Sequence, residues 1–339
     1  MRDGTTVPGV TREAVAGSRT ITDLVDANAV SRRHGEGATL VLNSLHRFWP
    51  PLVEFCRDLA MELGHPTQCN AYITPAGDAK GFAFHHDTHD VFVLQVTGRK
   101  RWQVHQPVIT LPTKSQPRSG ADLVPDGQPP LIDTELGPGD TLYLPRGYVH
   151  AAATTDSRSL HLTVGVLAIT WYDVLRDVVA TAADELSFRH ALPVSPHDAL
   201  EQDPDQLAAV LQQAAAWLSA LPVERARELL EARVRKAAPA EPLRLLAQAE
   251  AVAGCAPDFP VRPRRGLRWS IQTAGERVTL QLPDCRLDLP AYTADALRRA
   301  LTTPGTPAEL GAAGLGLDAD DAVVLVRRLL REGALVGAG

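Results

Sequence analysis

His85-His86-Asp87-Thr88-His89-Asp90-Val91-Phe92-Val93-Leu94-Gln95-Val96 (residues 85–96) sets three of the chain's 11 histidines directly ahead of a near-continuous apolar run. On an extended strand His85 and Asp87 are two residues apart, so both side chains leave one face. The apolar run reads as a buried strand, which places the polar cluster at the mouth of a sheet rather than in a free loop. Thr97-Gly98 is a turn, and Arg101-Trp102-Gln103-Val104 returns as the next strand.

Downstream, Pro138-Gly139-Asp140 precedes the strand Thr141–Pro145, and Gly147-Tyr148-Val149-His150 follows. A strand ending in such a turn delivers His150 to the same mouth. Two imidazoles and one carboxylate leave three adjacent positions open on a metal, the arrangement used by non-haem iron(II) oxygenases. Lys100 alternates with Trp102 and Val104 and so shares their inward face. A buried ammonium needs an anionic partner, and a dicarboxylate cosubstrate would supply one. His86 points away from the metal face by alternation, His89 is placed at the pocket rim, and Asp90 is read as structural.

Working outward, 38–42 and 70–74 read as strands and 49–63 as a helix whose Leu52, Phe55, Cys56, Leu59 and Leu63 form one stripe. Residues 160–166 form a further strand, and 106–130 a long surface loop. Short strands at this spacing indicate a barrel or sandwich. Residues 1–40 are polar, with one apolar-periodic run at 21–30 and room for a helix or two. From 171 the pattern turns helical, with helices at 173–186, 205–221 and 223–236. From 262 it changes again: strands around Trp269 and at 278–280, then helices at 294–301 and 318–331, a block of winged-helix size.

The chain has 339 residues, 45% of them hydrophobic, and a formal net charge of −6. That balance argues against sequence-independent nucleic-acid binding as its main task. Cys56, Cys69, Cys255 and Cys285 form no CxxC pair, which excludes the common structural zinc and dithiol motifs and fits reduced thiols in a cytoplasmic protein. The N-terminus has no apolar signal segment, and no run reaches membrane-spanning length. Arg262, Arg264, Arg265 and Arg268 cluster, as do Arg327, Arg328 and Arg331. Asp318, Asp320, Asp321 and Glu332 offset much of this charge, so solvated faces or protein contacts are favoured over nucleic acid.

These blocks resemble the JmjC-type 2-oxoglutarate oxygenases, within them the ribosomal oxygenases. The resemblance runs through 70–77, HHDTHDVFVLQVTGRKRW at 85–102, PGDTLYLPRGYVH at 138–150, SLHLTVGV at 159–166 and SFRHALP at 187–193. It implies an α+β fold: a double-stranded β-helix (cupin/JmjC) barrel over 1–170, a helical dimerisation domain over 171–255 and a winged-helix-like domain over 256–339. It implies Fe(II) on His85, Asp87 and His150, with Lys100 pairing the distal carboxylate of 2-oxoglutarate. Asn70, Tyr72 and Thr163 would line the cosubstrate pocket. His161 shares the face of Thr163, in or near that pocket or as a core histidine. O2 is the co-reactant, and succinate and CO2 are products.

The implied reaction is hydroxylation of a protein side chain, at the β-carbon of a histidine or arginine in a ribosomal protein; the block LHLTV inclines it towards histidine. A homodimer is expected, and neither a membrane nor a nucleic acid is. The chain departs from the family pattern in a loop one residue longer at 77–81, in Phe84 where proline is usual, and in a short N-terminal portion. The first two bear on substrate choice. Competing readings are an oxygenase that tailors a ribosomally made peptide, with the winged helix holding its leader; a demethylase, disfavoured by 5% aromatic content; and a non-catalytic metal- or nucleic-acid-binding regulator.

Overall fold

A computed structural model describes residues 6–77, 82–116, 123–124, 128–192, 204–237 and 240–338. It divides into two compact units, Met1–Ala168 and Ile169–Gly339. The helical segment and the C-terminal module expected as separate domains both lie in the second.

The first unit opens with an antiparallel hairpin, β1 (Thr11–Ala16) and β2 (Arg19–Val25), followed by α1 (Ala27–Gly35), whose first turn is capped by the Asp26 carboxylate. The apolar-periodic run at 21–30 is strand in its first half, where β-branched Ile21 and the preceding Thr20 pair with Ala14 and Val15, and helix in its second. Next come β3 (Leu40–Leu42), α2 (Pro50–Leu63), β4 (Thr67–Thr74), β5 (Asp90–Thr97), β6 (Lys100–Pro107), β7 (Ile132–Leu136), β8 (Thr141–Leu144), β9 (Tyr148–Thr154) and β10 (Ser159–Val166). They form a five-stranded sheet, β3-β4-β10-β5-β8, and a three-stranded sheet, β7-β6-β9.

The turn at Thr97-Gly98 does not close a paired hairpin. It carries the chain from the large sheet to the small one, where β6 pairs with β7 and β9. Gly98 has φ +67°, and a Cβ there would stand 1.7 Å from the Arg158 carbonyl oxygen, so the crossing requires glycine. Val91, Val93, Leu142 and Leu144 of the large sheet pack with Trp102, Val104 and Leu136 of the small one. The opposite face of the large sheet is covered by α2, which begins at Pro50-Pro51 and ends at Gly64 in the left-handed region. Leu52, Cys56 and Leu59 pack there against Cys69, Val164 and Leu162. Phe55 and Leu63, expected on that stripe, are exposed, because the contact is narrower than the apolar pattern.

The second unit contains α3 (Trp171–Ala180), α4 (Pro204–Ala220), α5 (Val223–Ala237) and α6 (Leu245–Ala253), then β11 (Val261–Pro263), β12 (Ser270–Ala274), β13 (Arg277–Gln281), β14 (Arg286–Pro290), α7 (Ala294–Thr302), α8 (Pro307–Ala312), α9 (Ala319–Arg331) and β15 (Leu335–Gly337). The helix expected over 173–186 stops at Ala180 and continues as two short 3-10 turns. β12-β13-β14 form an antiparallel sheet, and β11 pairs with β15. Leu280, Leu297, Leu329 and Leu330 are fully buried in the core they share. No helix among the described residues is long and apolar enough to cross a membrane.

Candidate metal centre

His85 reaches the site from a single antiparallel bridge to His150. The His85 amide donates to the His150 carbonyl at 3.1 Å, and the His150 amide donates back at 2.8 Å. Gly147, at φ +93°, donates its amide to the Asp87 carbonyl at 2.9 Å. Local alternation and this pairing therefore bring a segment before β5 and a residue of β9 together. The ligand atoms of His85, Asp87 and His150 all lie within 4.8 Å of one another. His150 Nε2 stands 3.8 Å from Asp87 Oδ2, and the two imidazole centroids are 4.4 Å apart.

The tautomers are set by the backbone. His85 Nδ1 lies 2.9 Å from the Ala83 carbonyl oxygen, and His150 Nδ1 3.0 Å from that of Tyr148. A carbonyl accepts only, so each Nδ1 carries the proton and each Nε2 presents its lone pair. Such an outer bond is the usual way a protein orients a metal-ligating histidine. Burial, and next the neighbouring His85, lower the His150 pKa to about 4. At neutral pH His150 is the uncharged imidazole that a metal binds.

The large sheet carries a ladder of side chains beside the trio. Asn70, Tyr72 and Thr74 alternate along β4 and face Thr163, His161 and Ser159 of β10. Asn70 also accepts from the Ser44 amide at 2.8 Å. Tyr72 stacks on His161 at 4.9 Å with the rings 3° from parallel. Burial, and then the Asp87 charge, raise the Tyr72 pKa, keeping the phenol protonated; Thr163 and Asn70 beside it pull the other way. On the small sheet Lys100, Trp102 and Val104 are buried on one face of β6, with Val104 opposite His150. Tyr72, His161, Trp102, His150, His85 and Phe82 follow one another at centroid spacings of 4.4–6.1 Å and close on themselves as a ring of six side chains.

Lys100 is 3% exposed. Its Nζ donates to Thr74 Oγ1 at 3.1 Å, and among the described residues it has no carboxylate partner. Desolvation lowers its pKa from 10.5 to about 8. Burial, followed by the Lys100 charge, pushes His161 well below the ordinary histidine range. His161 Nδ1 and Trp102 Nε1 are buried without a partner.

Asn70, Tyr72, His161 and Thr163 thus adjoin one another on the large sheet, Lys100 reaches Thr74 of the same ladder, and Tyr72 and His161 belong to the ring that contains His85 and His150. Thr74 was missed, although it has the parity of Asn70 and Tyr72. His86 is wholly buried with both ring nitrogens unpartnered, and it forms no part of the ligand trio. His89 lies over Gly165, where a Cβ would meet its ring at 2.6 Å, with Nε2 3.3 Å from Gln68 Nε2. Asp90 accepts from Tyr143 Oη and the Arg146 amide, a turn-fixing role. Phe84 packs edge-on to His105 at 5.2 Å. The segment 78–81, part of the lengthened loop, lies outside the described residues.

Residues 47–174 match the JmjC domain family. Ribosomal oxygenase 1 of Bos taurus is 36% identical over 167 residues, covering 46% of this chain and 24% of that protein. The bifunctional lysine-specific demethylase and histidyl-hydroxylase NO66 of Dictyostelium discoideum is 36% identical over 174 residues, 48% of this chain and 33% of its own length. The chain thus spans a quarter to a third of these relatives. Among solved structures, the Escherichia coli ribosomal oxygenase YcfD, in complex with cobalt and 2-oxoglutarate, covers 89% of this chain and 78% of its own, with TM-score 0.51 and 20% identity. At that identity the likeness is one of fold, a mixed α/β JmjC/cupin architecture.

Proposed function

Because residues 47–174 carry a JmjC domain, we propose that the chain is an Fe(II)- and 2-oxoglutarate-dependent hydroxylase of a protein side chain, a histidine or arginine of a ribosomal protein. The observation that carries this reading is the pairing of two lone-pair-presenting imidazoles and a carboxylate with a buried lysine that lacks an anion. The donor set, two imidazole nitrogens and a carboxylate oxygen, fits a ferrous ion. The lysine fits the far carboxylate of a 2-oxo dicarboxylate.

When bound, iron and cosubstrate supply the oxidation, in which 2-oxoglutarate becomes succinate and CO2 and one oxygen atom of O2 enters a substrate C–H bond. The chain's own residues set the stage. His85, Asp87 and His150 hold the metal. Lys100 and Thr74 bind the distal carboxylate, and Asn70, Tyr72 and Thr163 fix the cosubstrate's orientation, Tyr72 as a protonated donor. His161 stays neutral and buttresses Tyr72. The aromatic ring excludes water, and His89 borders the mouth.

The second unit we assign as a helical dimerisation segment and a winged-helix-like module. Trp171, Leu175 and Val179 recur at i, i+4 and i+8 on α3 and are 85%, 51% and 50% exposed, a stripe suited to a second copy. Four unpaired thiols support a cytoplasmic setting. The test is anaerobic loading with Fe(II) and 2-oxoglutarate, then air and a pool of ribosomal proteins. A mass gain of about 16 Da, one oxygen atom in place of none, with matching succinate supports the reading; cosubstrate consumption with no modified protein refutes the protein target.

A further inference from the structure

The second unit holds a groove of about 480 Å3 between the end of β14 and α9. β14 is an edge strand. The register shows which of its backbone groups are free. Leu282 N–H donates to Cys285 O, and Ala291 N–H to Glu276 O. Bonded pairs recur every second residue, so Leu287 and Leu289 direct their backbone towards β13. Arg286, Asp288 and Pro290 direct theirs outward. The Asp288 carbonyl accepts from Arg277; Pro290 has no N–H and ends the donor row. The amides of Arg286 and Asp288 and the Arg286 carbonyl are what a fourth strand would meet.

Across the groove from Leu289 and Pro290 at the end of β14, Asp321, Val324, Arg328 and Arg331 fall at i, i+3, i+7 and i+10 on the exposed side of α9. Val324 is 65% exposed and Tyr292 57%; with Leu289 they give the groove an apolar floor. Charge runs along it, from Asp321 at the start of α9 to Arg328 and Arg331 at its end. Glu332 pairs with Arg328 at 2.9 Å, while Arg331 has no acidic partner among the described residues. Arg327 is committed elsewhere, to the Cys255 carbonyl.

We propose that this groove captures an extended peptide segment, which adds to the free edge of β14, lays apolar side chains on Tyr292 and Val324, and points acidic residues at Arg331. Strand addition takes its affinity from the main chain and its selectivity from alternate side chains, and this site offers both. Nucleic acid fits poorly, because Asp320 and Asp321 open the same helix face and Val324 occupies its middle. The proposal is independent of the oxygenase reading.

The test pans the full chain against a phage-displayed random dodecapeptide library, then titrates the enriched peptide, labelled with fluorescein, by anisotropy. Enriched sequences should alternate apolar residues and carry Asp or Glu towards one end. Val324→Glu and Arg331→Glu should each weaken binding at least tenfold, while Arg298→Glu, on the exposed side of α7, leaves it unchanged. A peptide with Lys for its acidic residue should regain affinity for Arg331→Glu, which an unfolded variant could not show. Peptide binding should also slow hydrogen exchange at the Asp288 amide. No enrichment above background, affinity indifferent to positions 324 and 331, protection elsewhere, or tighter binding of a 20-base-pair duplex through the same residues overturns the proposal.

Discussion

Replacing Lys100 with methionine should stabilise the metal-free protein at neutral pH and abolish its response to 2-oxoglutarate. Lys100 is 3% exposed, and its pKa falls from 10.5 in a free side chain to about 8 through desolvation. A pKa unit is worth about 1.4 kcal/mol, so burying the ammonium costs the folded state about 3 kcal/mol at pH 7. Between pH 8 and 10.5 the unfolded chain binds more protons than the folded one, so wild-type stability rises through that window and the cost shrinks to about 1 kcal/mol by pH 10. Methionine occupies similar volume without charge. It forfeits the bond to Thr74, a net loss of about 1 kcal/mol. The expected gain is about 2 kcal/mol at pH 7, or roughly 4–8 °C in Tm for a unit of this size, vanishing near pH 10. Differential scanning calorimetry of metal-free wild type and Lys100→Met at both pH values tests this, with cobalt and 2-oxoglutarate added in a second series. A variant less stable than wild type at pH 7, or one still stabilised by 2-oxoglutarate, refutes the account of Lys100 as a cation waiting for its anion.

Affinity for 2-oxoglutarate should be flat below pH 8 and weaken about tenfold per unit above it, as Lys100 loses its proton; an isothermal titration series that stays flat to pH 9.5 would contradict this. His150→Ala should abolish the oxygenated product and remove the thermal shift produced by cobalt; product persisting in a peptide mass map means that the ligand assignment is wrong. Gly147→Ala should weaken cobalt binding at least tenfold although it is no ligand, since a Cβ there would meet the Ile109 carbonyl oxygen at 2.5 Å and disturb the hydrogen bond from its N–H to the Asp87 carbonyl. An unchanged spectroscopic titration would show that this turn does not position the trio.

Much of the site was readable because its parts obey short-range rules. A spacing of two put His85 and Asp87 on one side of an extended segment. Alternation put Lys100, Trp102 and Val104 inward together, and the burial of all three agrees. The same rule would have found Thr74. Other features lacked a local signal. β7 is exposed over Ile132–Glu135, and it pairs as a strand with β6. The turn after β5 looked like a hairpin, since chemistry at Thr97-Gly98 is the same whether the next strand pairs with its predecessor or crosses to another sheet.

What residue order alone determined is which side chains could act together: the types of ligand, their faces and the lysine's inward parity follow from the geometry of a single strand. What only the tertiary structure decided is how they meet. The reciprocal backbone hydrogen bonds between residues 85 and 150, the closed ring of six side chains and the three-stranded sheet that leaves β14 at its edge all join segments separated in the chain. Their distances come from how two sheets pack and which strands pair, and these long-range contacts leave no period in the sequence.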